Sequence, residues 1–184
     1  MDEQRLKLLN RGVLVLPENI DHSTYELVLE ALMLKADEEV QMYCRGNGGD
    51  SASAIAIVDL IDQHGNVVGL LPGEAASNHA TIWAACQQRF VYPRGCLSLH
   101  KVARHSLSSR VDSQSLRLMA EDYERVERVI ADILAEASNR SAAFWYNLLQ
   151  ETGSGGLYQF EAKRLIEMEM AKPIAERAER LVPA

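Results

Sequence analysis

Apolar positions in the first hundred residues alternate between short runs of strand length and longer stretches with helical spacing. Gly12-Val-Leu-Val-Leu-Pro17 is a brief apolar run stopped by proline, which predicts a first strand. The stretch from Tyr25 to Lys35 reads as an amphipathic helix, with Ser23 and Glu26 at capping-box spacing before it. Glu39 to Cys44 alternates like a strand and runs into the turn Gly46-Asn-Gly-Gly49. Ala52 to Ile61 is then almost continuously apolar, as expected of a helix buried on most sides. Val67 to Leu71 predicts another strand, closed by Pro72-Gly73. A second small-residue turn, Glu74-Ala-Ala-Ser-Asn-His79, leads into a helix over Ala80–Arg89. Phe90–Tyr92 and Leu97–His100 are strand-like pieces around the turn Pro93-Arg-Gly95.

Beyond residue 105 the period changes. Ser106–Ser113 is polar and expected to be exposed. Leu116, Met119, Tyr123, Val126, Ile130, Ile133 and Ala137 then mark one face of a long helix over 114–137. A helix over Ser141–Gln150 precedes a glycine-rich loop at 153–156, and helical patterns follow over Gln159–Met170 and after Pro173. Strand–helix alternation followed by long helices predicts an α/β fold with a parallel sheet. No internal sequence repeat or linker is visible, so residues 1–184 are expected to form one domain.

Composition narrows the function. The chain is 47% hydrophobic and 24% charged, the balance of a globular protein. Its net charge is −7, and the basic residues between Lys101 and Arg110 are too sparse for a nucleic-acid footprint. Leu27–Leu34 and Ala52–Ile61 are well short of the ~20 residues that span a bilayer, so no membrane association is expected. The opening MDEQRLKLLNRG lacks the apolar stretch of a signal peptide, which predicts a cytoplasmic protein. Cys44, Cys86 and Cys96 have no paired spacing, and the five histidines form no HxxxH or HExxH pair. Neither a metal nor another cofactor is expected.

Two turns have the local form that chemistry needs, because each delivers a strand end onto a helix start through small residues. In Arg45-Gly-Asn-Gly-Gly-Asp50, adjacent glycines free backbone amides to face a cavity beside a helix N-terminus. Such amides suit an anion or a developing oxyanion, although most Gly-Gly pairs are simply tight turns. No lysine follows at Walker spacing and there is no GxGxxG, so a nucleotide loop is not expected. In Gly73-Glu-Ala-Ala-Ser-Asn78, Ser77 stands where a nucleophile is reached by substrate past small neighbours. The plain alternative is that Ser77 caps the helix that follows. His100, ending Cys96-Leu-Ser-Leu-His100, is a candidate base or a satisfied core histidine. His79 is the poorer base, because residues two apart on a helix face different ways.

Taken in order, these segments resemble the proteolytic subunit of the Clp protease, the ClpP family, from about Gly12 to Lys172. MYCRGNGGDSASAIAIVDLI is similar to that family's INSPGGSV…AIYDTM segment, GEAASNHATIWAA to its GQAASMGAFLLAA, and SLHKV to its MIHQP. Ser77 and His100 are 23 residues apart, close to the family spacing. The resemblance implies repeated β-β-α units with a parallel sheet and a projecting handle helix at about 114–137. It implies a serine endopeptidase of a self-compartmentalising ring, with Ser77 as nucleophile, His100 as general base and the amides of Gly49 and Asn78 as oxyanion hole. It further implies self-association into two stacked heptamers and peptide substrates.

The departures from that pattern carry information. Asn47 replaces the proline before Gly-Gly, Asn78-His79 replaces Met-Gly, and Val102 replaces the proline after the histidine. The family's third triad member is an aspartate, yet no aspartate follows Asp132. Ungapped counting puts Thr152 at that place, and the adjacent Glu151 is the ionisable residue of the loop expected to supply an acceptor for His100. A Clp-type ATPase is the partner the resemblance implies. The chain begins almost at its first strand, without the longer segment that forms axial loops in the family, which counts against that partnership. Two other readings differ in class: a catalytically inactive, ClpR-type structural subunit of a protease ring, favoured by the triad gap, and an acyl-CoA enzyme of the crotonase type, which shares the fold. The second needs no serine with a matched histidine.

Overall fold

The computed structural model describes residues 2–102, 112–152 and 156–180. A helix that the apolar pattern did not predict opens the chain, α1 (Glu3–Asn10), capped by the Asp2 side chain on Arg5 N. Three times thereafter the chain lays down a strand, a short second strand and a helix. The first unit is β1 (Val13–Val15), β2 (Asn19–Ile20) and α2 (His22–Leu34). The second is β3 (Val40–Tyr43), β4 (Gly48–Gly49) and α3 (Ser51–His64). The third is β5 (Val67–Leu71), β6 (Glu74–Ala76) and α4 (Asn78–Ala85). A fourth strand pair, β7 (Gln88–Val91) and β8 (Cys96–Leu99), precedes the long helix α5 (Ser113–Glu136). The repeat invisible in the sequence is therefore present in the backbone. After α5 come α6 (Ala142–Glu151), β9 (Tyr158–Glu161), α7 (Ala162–Glu167), β10 (Lys172–Pro173) and a 3₁₀ turn, Ile174–Arg180.

Among the described residues the first strand of each unit enters one parallel sheet in the order β1-β3-β5-β7-β10. All five residues of β5 are buried, as befits a strand with both faces covered. The second strands form another layer: β2 runs parallel to β4, and β6 parallel to β8, with a Gly46–Ala75 bridge between them. This mixed α/β architecture is the fold class expected from the alternation, and its repeated units are those the family resemblance implied. Val28, Ile57, Ile61, Trp83 and Leu134 belong to the core that the helices close over the main sheet. The buried residues of α5 lie in its second half, from Val126 to Leu134, whereas Leu116 and Leu118 in its first half are exposed. No described helix is long and apolar enough to cross a membrane.

Several expected boundaries shift for local reasons. The capping box of α2 is formed by Asp21 and Thr24, not Ser23 and Glu26, because the helix begins at His22. The helix expected over 80–89 stops at Ala85, and Gln88 and Arg89 already belong to β7. The helix expected from Gln159 begins only at Ala162, because Tyr158–Glu161 pairs antiparallel with β8. The loop expected over 106–113 and the one over 153–156 fall largely outside the described residues.

Arg89 explains the early stop of α4. Its guanidinium donates to the carbonyls of Ala84 and Cys86 at the end of α4, of Ala137 at the end of α5, and of Met170 before β10. Burial lowers its pKa, since the charge has left water for carbonyl dipoles. One side chain thus ties three helix and strand ends to the sheet. Arg89→Met should lower stability by about 3 kcal/mol, because it strands four carbonyls with no donor. Urea unfolding is expected to show a lower midpoint at an unchanged slope.

Candidate active site

Strand β6 holds Ala75 and Ala76 against β8, and the Ser77 N–H continues that pairing by donating to Ser98 O at 2.8 Å. The chain then turns directly into α4, which obliges Ser77 to adopt φ 53° and ψ −124°. For a residue with a Cβ this conformation costs about 1–3 kcal/mol. Ser77 is the residue at the N-cap position of α4, but its side chain makes no capping hydrogen bond. Ser77 instead lines a cavity of about 200 Å³. The capping role that the sequence alone allowed is absent.

The Gly-rich turn closes the other side. Gly48, at φ 95°, lies so near Ser77 that a Cβ there would stand 2.5 Å from Ser77 Cβ and 3.0 Å from Asn78 N. The side chain of Asn78, itself buried, ties the two turns together: Nδ2 donates to Gly49 O at 2.7 Å and to Ser51 Oγ at 3.1 Å. Asp50 caps α3 by accepting from Ser53 N at 2.7 Å. Asn47 donates through its backbone N and its side chain to Glu18. Gly49, Ser77, Asn78 and His100 line the same cavity, with Leu99, Ile130 and Leu149 as its apolar wall.

His100 extends from the end of β8 into this cavity, and the hydrogen bonds around it decide its protonation pattern. Its Nδ1 lies 2.7 Å from Lys101 O. A carbonyl oxygen only accepts, so Nδ1 carries a proton, and in the neutral ring Nε2 is the lone-pair nitrogen. No Ser77–His100 hydrogen bond forms among the described contacts, although both side chains face one cavity. The segment after His100 is held by residues far along the chain: Lys101 N donates to Thr152 Oγ1 at 2.8 Å, and Val102 N to Glu127 Oε1 at 3.1 Å.

Four of the five residues singled out from the sequence therefore meet in one cavity, and Glu151 does not. Its carboxylate is exposed at the end of α6 and accepts from Tyr158 Oη at 3.1 Å, while the Nδ1 proton of His100 goes to Lys101 O. The hydroxyl of Thr152 is the group that reaches the histidine segment, and it donates in turn to Leu149 O. Glu127 was not singled out at all; its one sequence signal is an acid beside Val126 on the apolar stripe of α5. His79 lies behind the site, fully buried, with Nε2 3.2 Å from Glu18 O and Nδ1 without a partner. Among the described residues no cluster of histidine, cysteine or acidic side chains has the arrangement to hold a metal ion.

A protein-family model described as Clp protease matches residues 2–147 of this chain, which spans α1 to the middle of α6 and includes Ser77, His100 and both turns.

Burial of His79 lowers its pKa, outweighing its hydrogen bonds to the backbone of the 17–18 segment. Below the ordinary histidine value of about 6.5 the unfolded chain therefore binds a proton that the folded chain refuses. The stability tied to His79 is present in full above that value and declines as pH falls through it. The melting temperature is expected to drop between about pH 7 and pH 5.5, with a shallower drop in His79→Gln, as measured by a pH series of thermal scans.

Proposed function

We propose, for a chain that belongs to the Clp protease family and is a ClpP-like protease subunit, that Ser77 is its nucleophile and His100 its general base. Ser77 Oγ attacks the scissile carbonyl carbon as its proton passes to His100 Nε2. The same proton then goes to the leaving amine nitrogen as the C–N bond breaks. The amides of Gly49 and Asn78 receive the oxyanion, and water repeats the sequence to release the acyl group. The observation that carries this reading is the strained turn at Ser77. It holds an uncapped hydroxyl in the cavity that His100 lines, and that histidine already has its proton on Nδ1.

The reading extends to the assembly. Residues 1–184 act as one domain of a ring, with two stacked heptamers as the arrangement the family implies. The exposed Leu116 and Leu118 on the outer half of α5 support burial of that half against another subunit. The substrate is a peptide, and the compartment is the cytoplasm. A second reading, a catalytically silent subunit within such a ring, is favoured by one observation: no carboxylate among the described residues touches His100.

A fluorophosphonate probe is expected to modify Ser77, and Ser77→Ala to abolish labelling without altering the circular dichroism spectrum. Equal labelling of both proteins would remove Ser77 from the chemistry, and no labelling of either would favour the silent subunit. Light scattering should return a particle of several hundred kilodaltons, and a monomer at micromolar concentration would rule out the ring.

A further inference from the structure

Glu127 is an acid almost wholly removed from water, 2% exposed, in the middle of the buried face of α5. Burying a carboxylate is costly unless its oxygens are satisfied. Here each oxygen accepts one N–H: Oε1 from Val102 N at 3.1 Å and Oε2 from Gln150 Nε2 at 2.6 Å. Lys101 Nζ stands one residue further out, where it donates to Gln150 Oε1 at 2.7 Å. Glutamine alone at 127 would set an amide nitrogen against one of these two donors, but exchanging the acid and the amide between 127 and 150 would keep both bonds, so the position of the charge asks for a reason.

That reason lies in the peptide that Glu127 binds. Val102 N and Lys101 O belong to one planar unit, whose N–H and C=O point in opposite directions. Glu127 accepts from the N–H end, and His100 Nδ1 donates to the C=O end. A negative charge on the N–H polarises the amide and makes its oxygen a stronger acceptor, and hydrogen bonds in such a chain reinforce one another. Thr152 Oγ1, bound to Lys101 N on the preceding peptide, keeps the whole segment in register.

We propose that Glu127, acting through the Lys101–Val102 peptide, takes the place of the carboxylate that a serine-peptidase triad ordinarily puts in contact with its histidine. It is a positioning residue. It holds the Nδ1–H tautomer and stabilises the imidazolium formed when Nε2 takes the Ser77 proton, while Nδ1 keeps its own proton throughout. This rests on the assignment of Ser77 and His100 above.

The test moves the charge without breaking the network, in the double variant Glu127→Gln with Gln150→Glu. The amide oxygen introduced at position 127 still accepts from Val102 N, and the amide nitrogen beside it donates to the carboxylate introduced at position 150. Lys101 Nζ then pairs with that carboxylate directly. Net charge and hydrogen-bond number stay the same, but the charge leaves the peptide. The expected result is normal folding and assembly, with the maximal rate of fluorophosphonate labelling at Ser77 lowered about tenfold and probe affinity unchanged. That is well short of the roughly 10⁴-fold loss on neutralising a contacting carboxylate. The second readout is independent of activity: in ¹⁵N-histidine-labelled protein the His100 Nδ1–H proton should resonate far downfield and move upfield in the double variant. An unmoved resonance together with an unchanged rate overturns the role of Glu127. A wild-type protein that fails to label, but whose resonance does respond to the charge swap, retains the relay and loses the Ser77 assignment instead.

Discussion

Everything at the cavity depends on how closely two backbones approach, the glycine turn at 48–49 and the turn at Ser77. There is no room for a methyl group between Gly48 and Ser77. That contact brings the start of α3 and the start of α4 side by side. Asn78 then fixes the distance through its bonds to Gly49 O and Ser51 Oγ, so the spacing is set by hydrogen bonds as well as by contact. The strain at Ser77 persists because β6 is paired on both of its sides, by the bridge to Gly46 and by the register with β8. A serine in a looser setting would relax to an ordinary cap.

The two halves of the cavity are built on different principles. The serine half is local: small residues, glycine conformations and helix starts lie within each turn. The histidine half is assembled from afar. Its anchors are Thr152, Gln150 and Glu127, which α6 and α5 bring against residues 100–102 from 25 to 51 positions away. Strand β8 is itself buttressed by β9, where Gln159 Nε2 donates to Ser98 Oγ and Ser98 donates to the Glu74 carboxylate. Direct contact between acid and imidazole is replaced by a peptide with a charged acceptor behind it.

That difference decides what could be read from the sequence. Short apolar runs marked β1 and β5, the second continuous because both its faces are buried, alternation marked β3, and the run at 90–92 caught only the buried end of β7. Gly-Asn-Gly-Gly and Glu-Ala-Ala-Ser-Asn marked the turns, because those conformations demand small residues. The path Tyr158-Gln-Phe-Glu161 misled, since an alternating segment of four residues beside a helix fits either period. Glu151 misled for another reason: counting along the chain places a residue near the histidine but says nothing about which way a helix end faces. Glu127 left almost no trace, since one acid on an apolar stripe looks like an interruption until the partner of Val102 N is known.

The pairing of β8 with β9 also imposes an order in time. A ribosome emits His100 about fifty residues before Thr152 and nearly sixty before Tyr158, at roughly 5–20 residues per second. For some seconds the histidine segment is made while Thr152 and Gln150, which hold it in the finished fold, are not. A nascent chain stalled in that interval would have made both turns of the cavity before the groups that hold residues 100–102. Residues 100–102 therefore gain their anchors only once the last third of the chain has docked.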